Sequence, residues 1–463
     1  MSNELIMKSE KVISTDSETA AKQSARRPGE ALIVKGIWLY VLLVIFEGAL
    51  RKWVLPGLAG PLLIVRDPLA IALLCYAWYL NLFPNVIYVN IMLIISGISF
   101  FTTLFIGHGN LAVALYGLRI LVIHFPFIFL MGSILRKDDV LKIGKMLVWI
   151  AIPMAVLVAL QFYSPQSAWV NRGVGGDMSG SGFSGAMGYF RPSATFSFTN
   201  GTSQFFSLVA CFIFYFWLKS EKFNKIALIA ATCGLIVVIP LSISRGLLFT
   251  LGVMSLFVLA VASRKPKFLV QITFASIGMV ILLLLLNNFD FFQTATEVYT
   301  KRFETAAISE GGVEGTLVDR YLGGMVHTIG QSSDVSFFGL GLGMGTNAGS
   351  ALMGAGRTFL ISEGEWGRLI GEMGALFGLG VIFIRLQLSF RLAVESYKRI
   401  AKGEILPWLL LSFALLIFPQ GQWAQPMTLG FSTLIMGLLI ASFNIPEKAG
   451  DTYDPIQIKQ NDA

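Results

Sequence analysis

Charge is what this chain has least of. Only 13% of its 463 residues are Asp, Glu, Lys or Arg, where a soluble globular domain carries about a quarter, so a water-soluble fold is excluded. Cysteine is scarce as well: Cys75, Cys211 and Cys233 fall singly inside apolar segments, which leaves no disulfide framework. The three histidines belong to no His/Cys cluster of metal-ligand spacing, and no GxxxxGK phosphate loop is present. The first 30 residues are polar and mixed in charge. They lack the apolar core of a cleavable signal, and read as a disordered cytoplasmic tail.

What is abundant is apolar surface, with a hydrophobic fraction of 55% and a mean hydropathy of +0.71. The stretch Phe268–Leu286 carries no charge and is long enough to cross a ~30 Å hydrocarbon core. Twelve such spans are expected, near 33–50, 60–80, 86–106, 111–131, 143–162, 201–218, 226–241, 246–263, 268–287, 367–385, 405–419 and 427–444. The fold class is therefore an all-α polytopic membrane protein of about 12 transmembrane helices. The transmembrane domain covers 31–445, and 446–463 forms a second cytoplasmic tail.

Lys and Arg are retained on the cytoplasmic side during insertion. With the N-terminus inside, the inner loops "ILRKDDVLKIGK", "KSEKFNK", "SRKPK" and "RLQLSFRLAVESYKRIAKGE" hold fifteen of them, and the short outer loops only Arg51, Lys52 and Arg245. The net charge of +8 is thus a topology signal and not a nucleic-acid footprint. Two long loops, about 163–200 and 288–366, then lie outside, rich in Gly, Ser and aromatic residues. Long loops on one side of a membrane are where binding and chemistry concentrate.

Ionisable residues inside spans cost a few kcal/mol each and face partners or wet cavities. Here they cluster towards the outer boundary: Glu47, Arg66, Asp67, Arg119, Arg245 and Glu372, with His124 nearer mid-membrane. Pairing between helices accounts for Arg66, Asp67 and Arg119, and Glu372 is spaced to pair with Arg368 at i,i+4. The clustering also suggests a polar cavity open to the outside, for which a lipid diphosphate is a fitting ligand, since arginine forks match phosphate oxygens. Arg172, Arg191, Arg245, Arg302, Arg320, Arg357 and Arg368 are the external arginines available. The stripe Gly364, Gly367, Gly371, Gly374 and Gly378 reads as close helix packing. Trp169, Trp366 and Trp423 read as interfacial anchors, and "GLGLGMGTNAGSALMGAG" as flexible backbone lining a groove.

Three motifs occur in order: "RPSATFSFTNGTSQFF" from Arg191, "SISRGLL" from Ser242, and "DRYLGGMVHTIGQSSDVSFFGLGLGMG" with Arg320 leading and Gly339, Gly341, Gly343 and Gly345 following. Together, over about 191–378, they resemble the bacterial O-antigen ligases and O-antigen polymerases that share a C-terminal polymerase/ligase membrane domain. Where that family has "H-N-x-Y-L-x-x-L-x-E-x-G", this chain has "EGEWGRLIGEMG", with Glu363 in place of the histidine. The resemblance implies a membrane-embedded glycosyltransferase of the inner membrane. Its donors are undecaprenyl-diphosphate-linked glycans, and it needs no nucleotide sugar, metal or other cofactor. Its partners are membrane lipids, a chain-length regulator and a flippase.

The implied reaction is inverting glycosyl transfer. Arg191, Arg245 and Arg320 are the candidates for binding the leaving diphosphate. Glu363, Glu365 and His327 are the candidates for a general base on the acceptor hydroxyl. The missing histidine favours an O-antigen or exopolysaccharide polymerase. The alternatives are a ligase moving finished glycan to lipid A–core and a lipid-linked glycan flippase.

Overall fold

The computed structural model describes residues 26, 28–219, 223–264, 267–310, 337–353 and 364–444. Of the predicted tails, 1–25 and 445–463 lie outside the described residues, and helix already begins at Pro28. In lipid every backbone N–H and C=O must be satisfied within the chain, and each of the twelve expected segments is helical. In chain order they are α1 (Pro28–Ala49), the pair α2 (Ala59–Leu62) and α3 (Arg66–Tyr79), α4 (Ile87–Phe105), α5 (Leu111–Arg119) continuing into α6 (Phe125–Ile134), α7 (Lys137–Tyr163), α8 (Thr199–Leu218), α9 (Lys225–Leu241), α10 (Arg245–Arg264) and α11 (Lys267–Leu286). After α12 (Asp290–Glu310) and α13 (Asn347–Met353) come α14 (Glu365–Ala401), α15 (Leu406–Ile417) and α16 (Pro426–Ala441). Among the described residues seven helices are long and apolar enough to cross a membrane, or eight with the pair at α2–α3, bent by 43°. Helices α9, α15 and α16 are apolar but shorter.

Helix α16 forms the centre of the bundle. It is buried from Met427 through Ala441 and packs against α6, α8 and α15. At the other extreme α11 presents Leu284 and Leu285 outward, as expected of a helix whose neighbour is lipid. Two five-residue π-helical turns interrupt the pattern, at Leu50–Val54 after α1 and at Ile120–His124 between α5 and α6.

The buried charges of the first spans pair across helices. Glu47 meets Arg66 at 3.0 Å and Arg51 at 3.2 Å, while Asp67 meets Arg119 at 2.7 Å and His124 Nε2 at 2.9 Å. His124 Nδ1 in turn faces the Tyr40 hydroxyl at 3.2 Å. Arg66 also donates to the carbonyl of Pro426 at 2.7 Å. Its guanidinium lies so close over Gly430 that a Cβ there would come within 1.9 Å of it. The N-terminus of α16 is thereby fastened to α3.

Helix α14 departs from the straight span expected over 367–385. In a continuous helix Glu365 and Arg385 would lie about 30 Å apart, yet their side chains meet at 2.9 Å. The break is at Gly374, with φ 76° and ψ 171°, a conformation open to glycine and strained for other residues. The two limbs lie side by side. Gly374 thus serves as the tip of a hairpin rather than as one rung of a packing stripe. Arg385, expected in an inner loop, is fully buried within the long limb. Over its described part, the glycine-rich stretch before α13 is pinned rather than loose. Leu340 and Gly341 donate to the carbonyls of Gly371 and Glu372, freed by the break. Leu342 N–H meets Thr103 Oγ1 at 2.9 Å, and Gly345 N–H meets Glu372 Oε1 at 2.8 Å.

Candidate functional site: a cationic cavity where three helices begin

The segment between α7 and α8 carries Arg191 into place. Strands β1 (Phe183–Ser184) and β2 (Phe190–Arg191) pair antiparallel, Phe183 opposite Arg191. Met187 and Gly188 turn the chain with positive φ, as a tight hairpin requires. Beyond β2 the chain dives into the bundle. Lys52 donates to Ser193 Oγ at 3.1 Å and to the Ala194 carbonyl at 2.6 Å, Gln161 Oε1 accepts from Ala194 N–H at 2.7 Å, and Arg51 reaches Ser197 Oγ at 2.9 Å. The backbone at 195–197 runs so close to α1 that a Cβ on Gly48 would fall within 2.4 Å of it. The first π-turn therefore holds the segment on which Arg191 sits.

The motif "SISRG" has a local physical reading. Ser244 caps α10, its hydroxyl accepting from Leu247 N–H at 3.3 Å and from Ser203 Oγ at 2.8 Å. Arg245 is the first residue of the helix. Ile243, a β-branched residue, is held at φ 47°, which costs on the order of 1–2 kcal/mol. Strain of this kind concentrates at functional turns.

Arg191, Arg245 and Arg302 converge on one cavity of about 460 Å³. It lies at the beginnings of α8, α10 and α16, whose first two turns contribute Asn200, Gln204, Gly246 and Thr428 to its lining, with Gln425 just ahead of α16. Helix N-termini carry partial positive charge and favour anions. Among the described residues no carboxylate and no imidazole lines the cavity. Arg191 lies below the usual arginine range because of burial and the like charges of Arg302 and Arg245. Its Nε is buried without a partner. Tyr299, one turn before Arg302 on α12, has its hydroxyl buried and unpartnered. Burial raises its pKa and nearby Arg245 offsets part of the rise.

The opposite wall is neutral and polar. Asn200 Nδ2 donates to Gln425 Oε1 at 3.1 Å, and Gln204 Nε2 donates to Thr428 Oγ1 at 2.9 Å. Gln425 bonds Gln422 in turn. Gln204 Oε1 is buried with no partner. Were the amide turned over, its nitrogen would be left over instead, so one polar atom of Gln204 awaits a ligand in either orientation.

Of the residues singled out from sequence, the structure brings Arg191 and Arg245 together. Arg320, His327 and Glu363 lie outside the described residues. Glu365 does not line the cavity. Its Oε1 accepts from Arg368 at 2.8 Å and Arg385 at 2.9 Å, and its Oε2 accepts from Arg368 at 2.9 Å and Trp423 N–H at 3.0 Å. All four lone-pair positions of the carboxylate are taken, whereas a general base needs one open. Glu372 pairs with Arg368 at 2.7 Å, the i,i+4 contact expected. Arg385 also holds the carbonyls of Phe418 and Gly421, so this ion cluster fixes the chain that supplies Gly421 and Gln422 to the cavity. Trp423 is fully buried against Arg385, 4.2 Å from ring to guanidinium, and Trp366 is buried with its Nε1 on the Pro419 carbonyl. Neither is an interfacial anchor. Trp169, stacked on Trp53, is exposed.

Arg302 stood only as one of seven external arginines, and the amide wall was not singled out beforehand. A signal for the wall exists in "TNGTSQFFS", where Asn200, Ser203, Gln204 and Ser207 share one helical face. No protein-family model matches the chain, and neither a curated protein nor a solved structure is significantly similar to it.

Proposed function

We propose that this protein is a membrane glycosyltransferase of the polysaccharide-polymerase type. It transfers glycan repeat units from undecaprenyl diphosphate donors to the growing chain at the outer face of the inner membrane. The observation that carries the reading is the convergence of Arg191, Arg245 and Arg302 on a cavity lined otherwise by amides and hydroxyls. Guanidinium forks bind a diphosphate bidentately, and the neutral wall offers the alternating donors and acceptors that sugar hydroxyls need. The diphosphate leaves with its charge stabilised in place, the largest single contribution in transfers of this kind. The general base is assigned to Glu363 or His327, since Glu365 is engaged elsewhere.

A transporter of the same lipid-linked glycan is the second reading, favoured by the interrupted helix at Gly374, because broken helices recur at transport sites. Glycan length in cells lacking the gene separates the two. Repeat units that reach the outer leaflet but stay single support the polymerase, and units trapped on the cytoplasmic leaflet support the transporter. Full-length chains stranded on undecaprenyl diphosphate would make the protein a ligase. Complementation with Arg245→Ala or Arg191→Ala is expected to yield no long chains at unchanged membrane abundance, each loss being about a hundredfold or more in rate. Normal glycan from both variants removes the cavity from the reaction.

A further inference from the structure

We propose that Asn200 and Gln204 form the subsite that selects the sugar, and that they read free hydroxyls on the residue joined directly to the diphosphate. A donor whose first sugar lacks a hydroxyl at the matching position is then rejected. The proposal rests on the glycosyl-transfer reading and names the substrate feature that the same cavity recognises.

The two amides stand one turn apart on α8 and both line the cavity, so they share one helical face with Cβ atoms about 5–6 Å apart. Each turns its nitrogen across to the start of α16. Asn200 Nδ2 donates to Gln425 Oε1 at 3.1 Å, and Gln204 Nε2 donates to Thr428 Oγ1 at 2.9 Å. The oxygen of each amide is left over. That of Gln204 is buried with no partner, and that of Asn200 bonds nothing among the described residues. Buried polar atoms are as a rule hydrogen-bonded, and an exception is explained by a ligand that completes it. Oxygen and nitrogen can exchange places in these amides without removing the vacancy, because Thr428 can donate as well as accept and the bond between Asn200 and Gln425 can reverse. A sugar hydroxyl both donates and accepts, so it completes either arrangement. A carbon that bears only hydrogen completes neither.

Position along the cavity decides which sugar is read. Ser203, between the two amides in sequence, donates to Ser244 Oγ at 2.8 Å, and Arg245 follows at the first position of α10. The starts of α8 and α10 therefore touch, and the amides stand beside the arginine-lined end of the cavity. A sugar held there is the one bonded to the diphosphate. The wall is also set before any ligand arrives. Thr202 Oγ1 donates to the Pro192 carbonyl at 3.1 Å, and a Cβ on Gly201 would come within 2.4 Å of the Phe196 side chain. Opposite, Arg66 holds the Pro426 carbonyl at 2.7 Å, which fixes the start of α16 where Gln425 and Thr428 stand. Amides held on both sides have little freedom to find another partner, and a site of that kind discriminates strongly against a ligand lacking the expected hydroxyl.

The test uses the full chain in lipid nanodiscs. The probes are undecaprenol, undecaprenyl diphosphate, and undecaprenyl diphosphate carrying glucose, galactose or N-acetylglucosamine, with the monodeoxy analogues of whichever sugar binds most tightly. One analogue should bind at least about tenfold more weakly than its parent. Gln204→Met, close in length, should weaken the parent to the level of that analogue and leave the analogue unchanged, so that the two losses do not add. Asn200→Ala should do the same for a second hydroxyl. Bare undecaprenyl diphosphate should bind both variants as it binds the wild type, which shows that they are folded. The proposal is overturned if the sugar adds nothing to the affinity of the bare diphosphate, or if every deoxy analogue binds like its parent. It is overturned equally if the loss of a hydroxyl weakens wild type and both variants alike, or if both variants lose the bare diphosphate as well. The cavity then remains a diphosphate site. If no diphosphate binds the wild type better than undecaprenol, the glycosyl-transfer reading falls instead.

Discussion

Replacing Glu365 by glutamine separates two roles that its position in the sequence leaves open. As a general base it would lose its chemistry and keep its fold. As the hub seen here it would lose its fold first. The carboxylate is the acid paired with Arg385 and one of two paired with Arg368, and it also accepts the Trp423 N–H. An amide keeps one acceptor and turns N–H donors towards guanidinium donors, which leaves Arg385 fully buried with only the carbonyls of Phe418 and Gly421. Breaking a buried pair by neutralising one partner costs about 3–5 kcal/mol. That is roughly a hundredfold or more in the folded population. Thermal unfolding of Glu365→Gln in detergent should show a markedly lower midpoint. Glycan polymerisation in the same membranes should fall in proportion to folded protein. Removing both charges with Glu365→Gln and Arg385→Met should recover part of the lost stability, because the stranded cation goes too. A Glu365→Gln protein that melts like the wild type and polymerises nothing would refute the structural role and return Glu365 to the chemistry.

Gly374→Ala should remove folded protein from the membrane. The site demands φ 76°, and a Cβ would sit 1.9 Å from the Phe337 carbonyl oxygen, well over about 2 kcal/mol of strain and collision together; wild-type abundance and melting would show that the hairpin is not formed. Lys52→Met should keep the bundle intact but free the Ser193–Ala194 turn, read as faster amide exchange around residues 190–196 and weaker binding of undecaprenyl diphosphate. Unchanged exchange there would detach Lys52 from the placement of Arg191. Gln204→Leu, which removes the unpartnered atom of the neutral wall, should lower transfer by about tenfold, the worth of one hydrogen bond to a sugar hydroxyl, while undecaprenyl diphosphate still binds. Full transfer would take the sugar off that wall.

How much of this was legible in the sequence follows from which interactions are local. The helical, membrane-spanning character is visible because lipid leaves the backbone no choice but helix, and hydrophobicity alone reports it. Seven or eight of the described helices, rather than twelve, are long and apolar enough to cross. The "SRG" turn is legible too, as its logic lies within four residues: a hydroxyl that caps, an arginine at the first helical position, and a short hairpin that delivers both to one boundary. The pairing scheme is not local. Arg66 stands beside Asp67 in the chain yet turns to Glu47, while Asp67 turns to Arg119 and His124; consecutive helix residues point 100° apart, so neighbours in sequence serve different neighbours in space. The same reasoning explains Arg385 and Trp423, which look like a topology charge and an interfacial aromatic until the break at Gly374 folds one limb of α14 back and makes them partners of Glu365. Arg302 lies beyond reach of local reasoning for another reason. Nothing in its own helix distinguishes it from Lys301 or Lys398. It matters because α12 returns it beside Arg191 and Arg245, more than fifty residues earlier in the chain. Side chains gathered from three distant segments leave no signature in the local sequence of any one of them. The buried pairs around Glu47, Asp67 and Glu365 hold the walls of the cavity. The cavity is therefore assembled from side chains that distant helices bring together, and the legible sequence features are the devices that hold its walls.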